Sequence, residues 1–331
     1  MKLLVTGGLG FIGSNFILKL IKESNEFEII NVDAELYGSD KNNLLEIQDH
    51  EKYEFVKGNI TNRRLMEDLI TKCDAVVNFA AESFVDRSIE NADPFLVSNI
   101  RGAFTLLDIV TKQKKRLLQI STDEVFGSLS SGTATEQSTF NPSNPYAATK
   151  AAAELLIKSY VNTYDSDVII TRCTNNYGPC QFYEKLIPKT IILANQNKKI
   201  PIYGQGTNIR DWIYVDDHCN AVLSALLNAK NGETYNISAN NEIDNITIVK
   251  KILNLMNKSE DLIYFVEDRP GHDYRYSMDS KKISNELGWK IKTSFDNGLA
   301  NTINWYLNNP EILKKFNSDI VQNTTPWKSS N

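Results

Sequence analysis

The sequence predicts an α/β protein: a doubly wound parallel sheet with a smaller lobe drawn mainly from the C-terminal half. Three features predict it. Short Val- and Ile-rich runs alternate with segments of helical period, the first run passes directly into a glycine-rich turn, and the rhythm changes after about residue 178. Strands that alternate with helices pair in parallel, because each connection must cross a face of the sheet.

The first run, KLLVT at 2–6, leads into Gly7-Gly8-Leu9-Gly10-Phe11-Ile12-Gly13, and SNFILKLIKES then has helical period. Gly7, Gly10 and Gly13 permit a tight turn, close approach of backbone to a pyrophosphate, and close packing of helix on strand. The helix N-terminus adds N–H donors and a positive dipole. The second run, EIINVD at 28–33, ends in Asp33, placed to accept from a ribose 2′-hydroxyl and to repel a 2′-phosphate. These residues indicate a dinucleotide site with NAD favoured over NADP; the bland alternative is a tight structural turn.

YEFV at 53–56 and DAVVNFA at 74–80 supply the third and fourth strands. Ligands in such sheets lie beyond the carboxyl ends of the strands. Asn59 and Ile60, and then Phe79, Ala80, Ala81 and Ser83, are therefore expected in the same groove, although Asn59 also suits a turn. RLLQIS at 116–121 and DVIITRC at 167–173 read as the next strands, and ETYNIS at 233–238 as one returning to the sheet. The expected division is an NAD-binding Rossmann domain over 1–178, rejoined by about 212–245, and a smaller lobe mainly over 179–331 that covers the strand ends. The loops of that lobe, GPCQFYEKLIP, PIYGQGTNIRDW and EDRPGHDYRY, are rich in aromatic, Gly, Pro and basic residues; the terminal DIVQNTTPWKSSN reads as loose.

Composition narrows the partners. Lys+Arg of 36 against Asp+Glu of 41 gives a net charge of -5, with no basic run beyond KQKKR at 112–116, so nucleic acid and anionic membrane are unsuited. The apolar stretch in MKLLVTGG is too short for a signal-peptide core or a membrane span, and a cytoplasmic protein is expected. Cys73, Cys173, Cys180 and Cys219 lack CxxC spacing and lie in or beside apolar segments, which suggests reduced, buried thiols rather than metal ligands.

In SNPYAATKAAAELL, Tyr146 and Lys150 stand four apart at a helix start and share one face. A phenol is a poor base at neutral pH, and lowering its pKa by about three units costs roughly 4 kcal/mol. A lysine ammonium and the cationic nicotinamide of NAD could supply that. The pair would then take a hydroxyl proton while hydride leaves the same carbon. Taken alone, this spacing more commonly marks an exposed helical Tyr and Lys. The fifth run ends in Ser121-Thr122 and is followed at once by Asp123 and Glu124. Carboxylates closing a buried strand are costly unless something uses them; the bland reading is a helical turn in which both merely face the dipole.

With its glycine turn and YxxxK spacing, the chain resembles the extended short-chain dehydrogenase/reductase family over almost its whole length. STDEVFG, NFAAESFVDRS, CTNNYGPCQFYEKLIP, NIRDWIYVDDH and DRPGHDYRYSMD resemble motifs of the dTDP-glucose 4,6-dehydratases within it. The resemblance implies NAD-dependent oxidation of a nucleotide sugar at C4, loss of water across C5 and C6, and return of hydride to C6. It implies Glu124 as the base at C5, Asp123 as the acid at O6, and Thr122 and Tyr146 on the C4 oxygen, with Lys150 beside the phenol. Paired acids commonly divide such roles, one ionised and one protonated.

The resemblance also implies substrate contacts from Ser83, Thr122, Asn175, Lys185, Leu186, Tyr203, Arg210, Asn245, Arg269 and His272, and cofactor contacts from Asn99 and Asn176. Arg and Lys suit a diphosphate. Arg210 beside Asp211 could equally form a structural ion pair, and His272 could be a structural histidine. Where the family pattern commonly has Asp, His and Pro, this chain has Asn59, Phe84 and Tyr183; the last two bear on nucleotide or sugar preference, not on the reaction. The stretches Phe95 to Lys112 and Tyr146 to Tyr164 carry wide apolar faces, and the family pairs these helices across a two-fold axis, implying a homodimer. Two further readings stand: a 4-epimerase or other C4-oxidising relative, which needs neither Asp123 nor Glu124, and a catalytically silent NAD-binding protein.

Overall fold

Residues 1–314 and 326–328 are described by the computed structural model. Its strands are β1 (Lys2–Thr6), β2 (Glu28–Asp33), β3 (Tyr53–Lys57), β4 (Ala75–Asn78), β5 (Arg116–Thr122), β6 (Val168–Cys173), β7 (Asn175–Tyr177), β8 (Ile200–Tyr203), β9 (Ile209–Tyr214), β10 (Thr234–Ile237), β11 (Glu242–Asp244) and β12 (Ile263–Val266). Seven of them form the central sheet in the order β10-β6-β5-β4-β1-β2-β3, every neighbouring pair parallel. The reversal of direction beside β1 opens a crevice at the carboxyl ends of β1 and β4, where such sheets bind ligands.

Strand residues are apolar in both alternate sets because helices cover both faces. On one face Leu3, Val5, Val77 and Leu118 pack with Phe16, Ile17 and Leu20 of helix Phe11–Glu23 and with Val222 and Ala225 of helix Val215–Asn228. On the other, Leu4, Val76, Leu117 and Ile170 pack with Met66, Leu106, Val110 and Ile157, from helices Arg63–Thr71, Ala103–Gln113 and Pro145–Tyr164. The remaining strands form two small sheets, β11-β9-β7 and β12-β8. Helices Leu186–Asn195, Asn245–Leu255 and Phe295–Asn308 cover them through Ile187, Ile191, Ile252 and Leu299. Most of the tail that reads as loose lies outside the described residues; its described part, the turn Pro326–Lys328, packs against helix Val85–Glu90.

Two details differ from the sequence reading. The helix expected over Phe95 to Lys112 contains a π-helical segment, Leu96–Gly102. A π turn is wider than an α turn and recurs at functional sites; here it holds Asn99, which accepts from Glu82 N and donates to Glu82 O and to Thr149 Oγ1. All four cysteines are free, but Cys180 is only partly buried, at a left-handed position with φ 64. Among the described residues no helix is long and apolar enough to cross a membrane, and no cluster of His, Cys, Asp and Glu could hold a metal ion.

The carboxyl ends of β5 and β6 are tied to helix Pro145–Tyr164 by a buried ion pair. Arg172 on β6 reaches Glu154 on the helix at 2.7 Å, and both side chains are wholly excluded from water. Ser121 on β5 donates to the same carboxylate at 2.6 Å, and the guanidinium lies over the rings of Phe126 and Phe140. Removing one partner leaves an uncompensated buried charge. Glu154→Ala should therefore lower unfolding free energy by about 3–5 kcal/mol in urea titration; a variant as stable as the native chain would mean that the pair braces nothing.

Candidate active site

Along the carboxyl ends of the central strands runs a cavity of about 290 Å³. Gly7, Gly10, Phe11, Ile12, Gly13, Asp33, Asn59, Ile60, Phe79, Ala80, Ala81 and Ser83 line one part of it; Thr122, Asp123, Glu124, Tyr146, Lys150, Asn175, Asn176 and Lys185 line the rest. The glycine turn is shaped for close approach. Gly7 has φ +72, and a Cβ there would stand 2.6 Å from Ala80 N; a Cβ on Gly13 would meet Gly7 O at 2.5 Å. A Cβ on Gly10 would meet only Gly7 O within 4 Å, so its other side opens to the cleft. Helix Phe11–Glu23 has no side-chain cap, which leaves the N–H groups of its first turn for an anion. Asp33 is ordered by Leu9 N, Glu35 N and Ser39 Oγ, and Oδ2 accepts only one of these bonds, leaving capacity for a ribose hydroxyl. Asn59 does both things open to it: its Oδ1 closes a turn onto Thr61 while the residue lines the cleft. The residues present fit a dinucleotide.

At the other end, β5 stops at Thr122 and the chain turns into a short 3₁₀ helix, Asp123–Phe126. A continuing strand would send successive side chains to opposite faces. The turn instead lets both Asp123 and Glu124 reach the cavity. Thr122 Oγ1 donates to Asp123 Oδ1 at 3.1 Å and accepts from Glu124 N at 3.3 Å. Asp123 Oδ2 is buried with no hydrogen-bond partner among the described residues. Burial, and then the neighbouring Glu124 carboxylate, push the Asp123 carboxyl up to about 8. Glu124 Oε2 accepts from Asn144 Nδ2 at 3.1 Å and from the Tyr276 hydroxyl at 3.4 Å.

Tyr146 and Lys150 lie on the first turns of helix Pro145–Tyr164, which opens with Asn144 as cap and Pro145 in its first turn. Lys150 does not lower the phenol in the protein alone. Its Nζ donates to Ile120 O at 2.6 Å, and burial brings the ammonium down to about 8. Burial, followed by the Glu124 carboxylate, holds the Tyr146 phenol well above its ordinary value.

Asn99, Leu186, Tyr203, Arg210, Asn245, Arg269 and His272 do not line the cavity. Leu186 packs in the lobe core, and Asn245 opens helix Asn245–Leu255. Arg210 makes no ion pair with Asp211, which instead accepts from Ser238, Ala239 N and Asn241 N. Its guanidinium sits 4.2 Å over the Tyr276 ring, donates to the carbonyls of Ile209, Asp273 and Tyr274, and faces Glu124 and Asp123 electrostatically. Arg269 pairs with Asp86 at 2.8 Å, and Tyr203 donates to the same carboxylate at 3.1 Å. His272 pairs with Asp268, while burial and the nearby Arg269 and Arg210 draw its imidazole down to about 4. Asn144, Tyr276 and Asp86 were not singled out in the sequence. Tyr276 sits inside DRPGHDYRYSMD and Asn144 before Pro145, but only the fold shows that both touch Glu124. Phe84 forms an edge-packed aromatic group with Tyr37 and Phe182, on which Tyr183 stacks.

A dinucleotide groove opening directly onto a buried Tyr–Lys pair is the arrangement of the extended short-chain dehydrogenase/reductases, and this fold is of that class. Sequence comparison narrows it: residues 4–302 match the model of the GDP-mannose 4,6 dehydratase family, and the chain belongs to that family. The low-salt glycan biosynthesis protein Agl12 of Haloferax volcanii is 47% identical over 94% of this chain and 100% of its own length. The dTDP-glucose 4,6-dehydratase of Mycobacterium tuberculosis is 43% identical over 93% of this chain and 94% of its own. A crystal structure of dTDP-glucose 4,6-dehydratase from Bacillus anthracis in complex with NAD matches with a TM-score of 0.90 at 44% identity, covering 95% of this chain and 99% of that one.

Asp123 gives up its proton near 3.8 when unfolded but near 8 when folded. Between those values the folded chain binds more protons, so this group makes stability fall as pH rises. Urea unfolding at pH 5 and pH 8 should show a smaller loss across the window in Asp123→Asn than in the native chain; equal losses would mean that Asp123 ionises as freely in the fold as in the open chain.

Proposed function

We propose that this protein is an NAD-dependent dTDP-glucose 4,6-dehydratase, a hydro-lyase that converts the sugar nucleotide to its 4-keto-6-deoxy product. The observation that carries this reading is the adjacent Asp123 and Glu124 carboxyls in the same cleft as Tyr146, with Asp123 buried and its pKa pushed up by that burial. Bound NAD would accept hydride from C4, return it to C6, and bring the nicotinamide cation that lowers the Tyr146 phenol. The glycine turn, the opening amides of helix Phe11–Glu23 and Asp33 would hold it.

Tyr146, with Thr122 against the phenol, takes the proton of the C4 hydroxyl as hydride leaves C4. The 4-keto group acidifies the C5 proton, which Glu124 removes. Asp123 protonates O6, the C6–O6 bond breaks, and water departs, leaving a C5–C6 double bond conjugated to the ketone. Glu124 then returns its proton to C5, the carbon next to the one that bound NAD would reduce. The balance is loss of one water: the proton Tyr146 took from the C4 hydroxyl replaces, through solvent, the one Asp123 gave to the departing water, and the cofactor would end as it began. A 4-epimerase needs no acid at O6, and nothing in its reaction calls for Asp123 to keep its proton at neutral pH.

Incubation with dTDP-glucose, UDP-glucose, CDP-glucose and GDP-mannose separately, with products read by mass and NMR, tests this. Loss of water and a C6 methyl signal from dTDP-glucose are expected; mass-neutral inversion at C4 would contradict the dehydratase. Glu124→Gln should accumulate bound NADH, seen by absorbance, and form little product. Normal turnover by that variant would remove Glu124 from the role of base.

A homodimer is proposed on exposed apolar side chains. Leu96, Val97 and Phe104 on one helical stretch and Leu155 and Tyr164 on helix Pro145–Tyr164 stand in solvent. Pairing across a two-fold axis would bury them. Light scattering should give twice the 37.4 kDa chain mass for the native protein and the monomer mass for Leu155→Arg; a native monomer would refute the pairing.

A further inference from the structure

We propose that Trp327, from the turn Pro326–Lys328, walls the nucleoside end of the substrate site and donates its indole N–H to a carbonyl oxygen of the base. The inference rests on the nucleotide-sugar reading above and adds the residue that closes its far end. Outward from Glu124, the guanidiniums of Arg210 and Arg269 come first, both within electrostatic range of that carboxylate. Asp86 follows, taking Arg269 Nη1 at 2.8 Å and the Tyr203 hydroxyl at 3.1 Å. Against the Tyr203 ring stands Trp327, centroids 5.3 Å apart and planes at 75°. A sugar nucleotide laid along this line puts its sugar at Glu124, its diphosphate at the guanidiniums and its base against the contacting Tyr203 and Trp327 rings, within reach of the indole N–H.

Trp327 is held at two points. The turn packs on helix Val85–Glu90, and Lys328 Nζ pairs with both oxygens of Glu267 at 2.8 and 2.6 Å. Its indole Nε1 is buried and has no acceptor among the described residues; Arg269 Nε is in the same condition. Buried donors without acceptors destabilise a fold, and native structures rarely keep them without a use. Two such donors beside an aromatic face match a planar base bearing ring carbonyls and an adjoining phosphate.

Calorimetric titration of the NAD-loaded protein with dTDP and UDP tests this. Trp327→Phe keeps the ring and removes the N–H, and should weaken dTDP binding about tenfold, about 1.4 kcal/mol; Trp327→Ala should weaken it further, and in steady-state kinetics the loss should fall on KM rather than kcat. Phe and Ala variants that both bind dTDP as the native protein does would overturn the proposal. So would tighter binding, which would mean that the ring stands where the base belongs, or a native protein that binds neither nucleotide. Binding of dTDP by the native protein without turnover of any sugar nucleotide would sink the dehydratase reading while leaving this one standing.

Discussion

The site depends on how β5 ends, and that end is tied in place by the buried Glu154–Arg172 pair. That pair holds three elements at one point: β6 through Arg172, helix Pro145–Tyr164 through Glu154, and β5 through Ser121. One residue after Ser121 the strand gives way to a 3₁₀ turn, and four residues before Glu154 the helix carries Lys150, whose Nζ bonds the carbonyl of Ile120. The ion pair therefore fixes the acid pair and the Tyr–Lys pair in one frame. Its electrostatic gain is offset by the cost of burying both charges; what it contributes is position.

The second consequence is electrostatic. Two adjacent carboxyls in a closed site cannot both ionise cheaply, and their surroundings differ. Asp123 is buried at the cavity wall, with one oxygen lacking any partner among the described residues, and that burial pushes its carboxyl up to about 8. Glu124 faces the open cleft, accepts two hydrogen bonds, and looks toward Lys185, Arg210 and Arg269. Burial, with the Glu124 carboxylate next to it, thus sets Asp123 apart from a neighbouring residue of nearly identical chemistry. The phenol needs outside help, since the protein by itself raises its pKa. Proton abstraction at C4 is thereby tied to arrival of a cationic cofactor, a coupling that guards against unproductive ionisation.

Much of this was legible in the sequence because local patterns carried it. The strand-glycine-helix turn, Asp33 at the end of β2, and Tyr146 four before Lys150 each follow from the geometry of one element and its successor. The central sheet could be read from alternating periodicities. What was not legible came from contacts between segments far apart in sequence. Tyr276 reaches Glu124 across 152 residues, Arg269 finds Asp86 across 183, and Arg210 stacks on Tyr276 instead of pairing with its neighbour Asp211. No local period encodes these. The wide π turn that holds Asn99 was hidden for another reason: its sequence has ordinary helical composition, and the distinction lies in backbone bonding.

On this mechanism Asp123 enters the reaction already protonated. The most direct measurement is a titration of its carboxyl by carbon-13 NMR, with Asp123→Asn identifying the signal. The expected carboxyl stays protonated through neutral pH and titrates near 8. A resonance already ionised at pH 5 would contradict it.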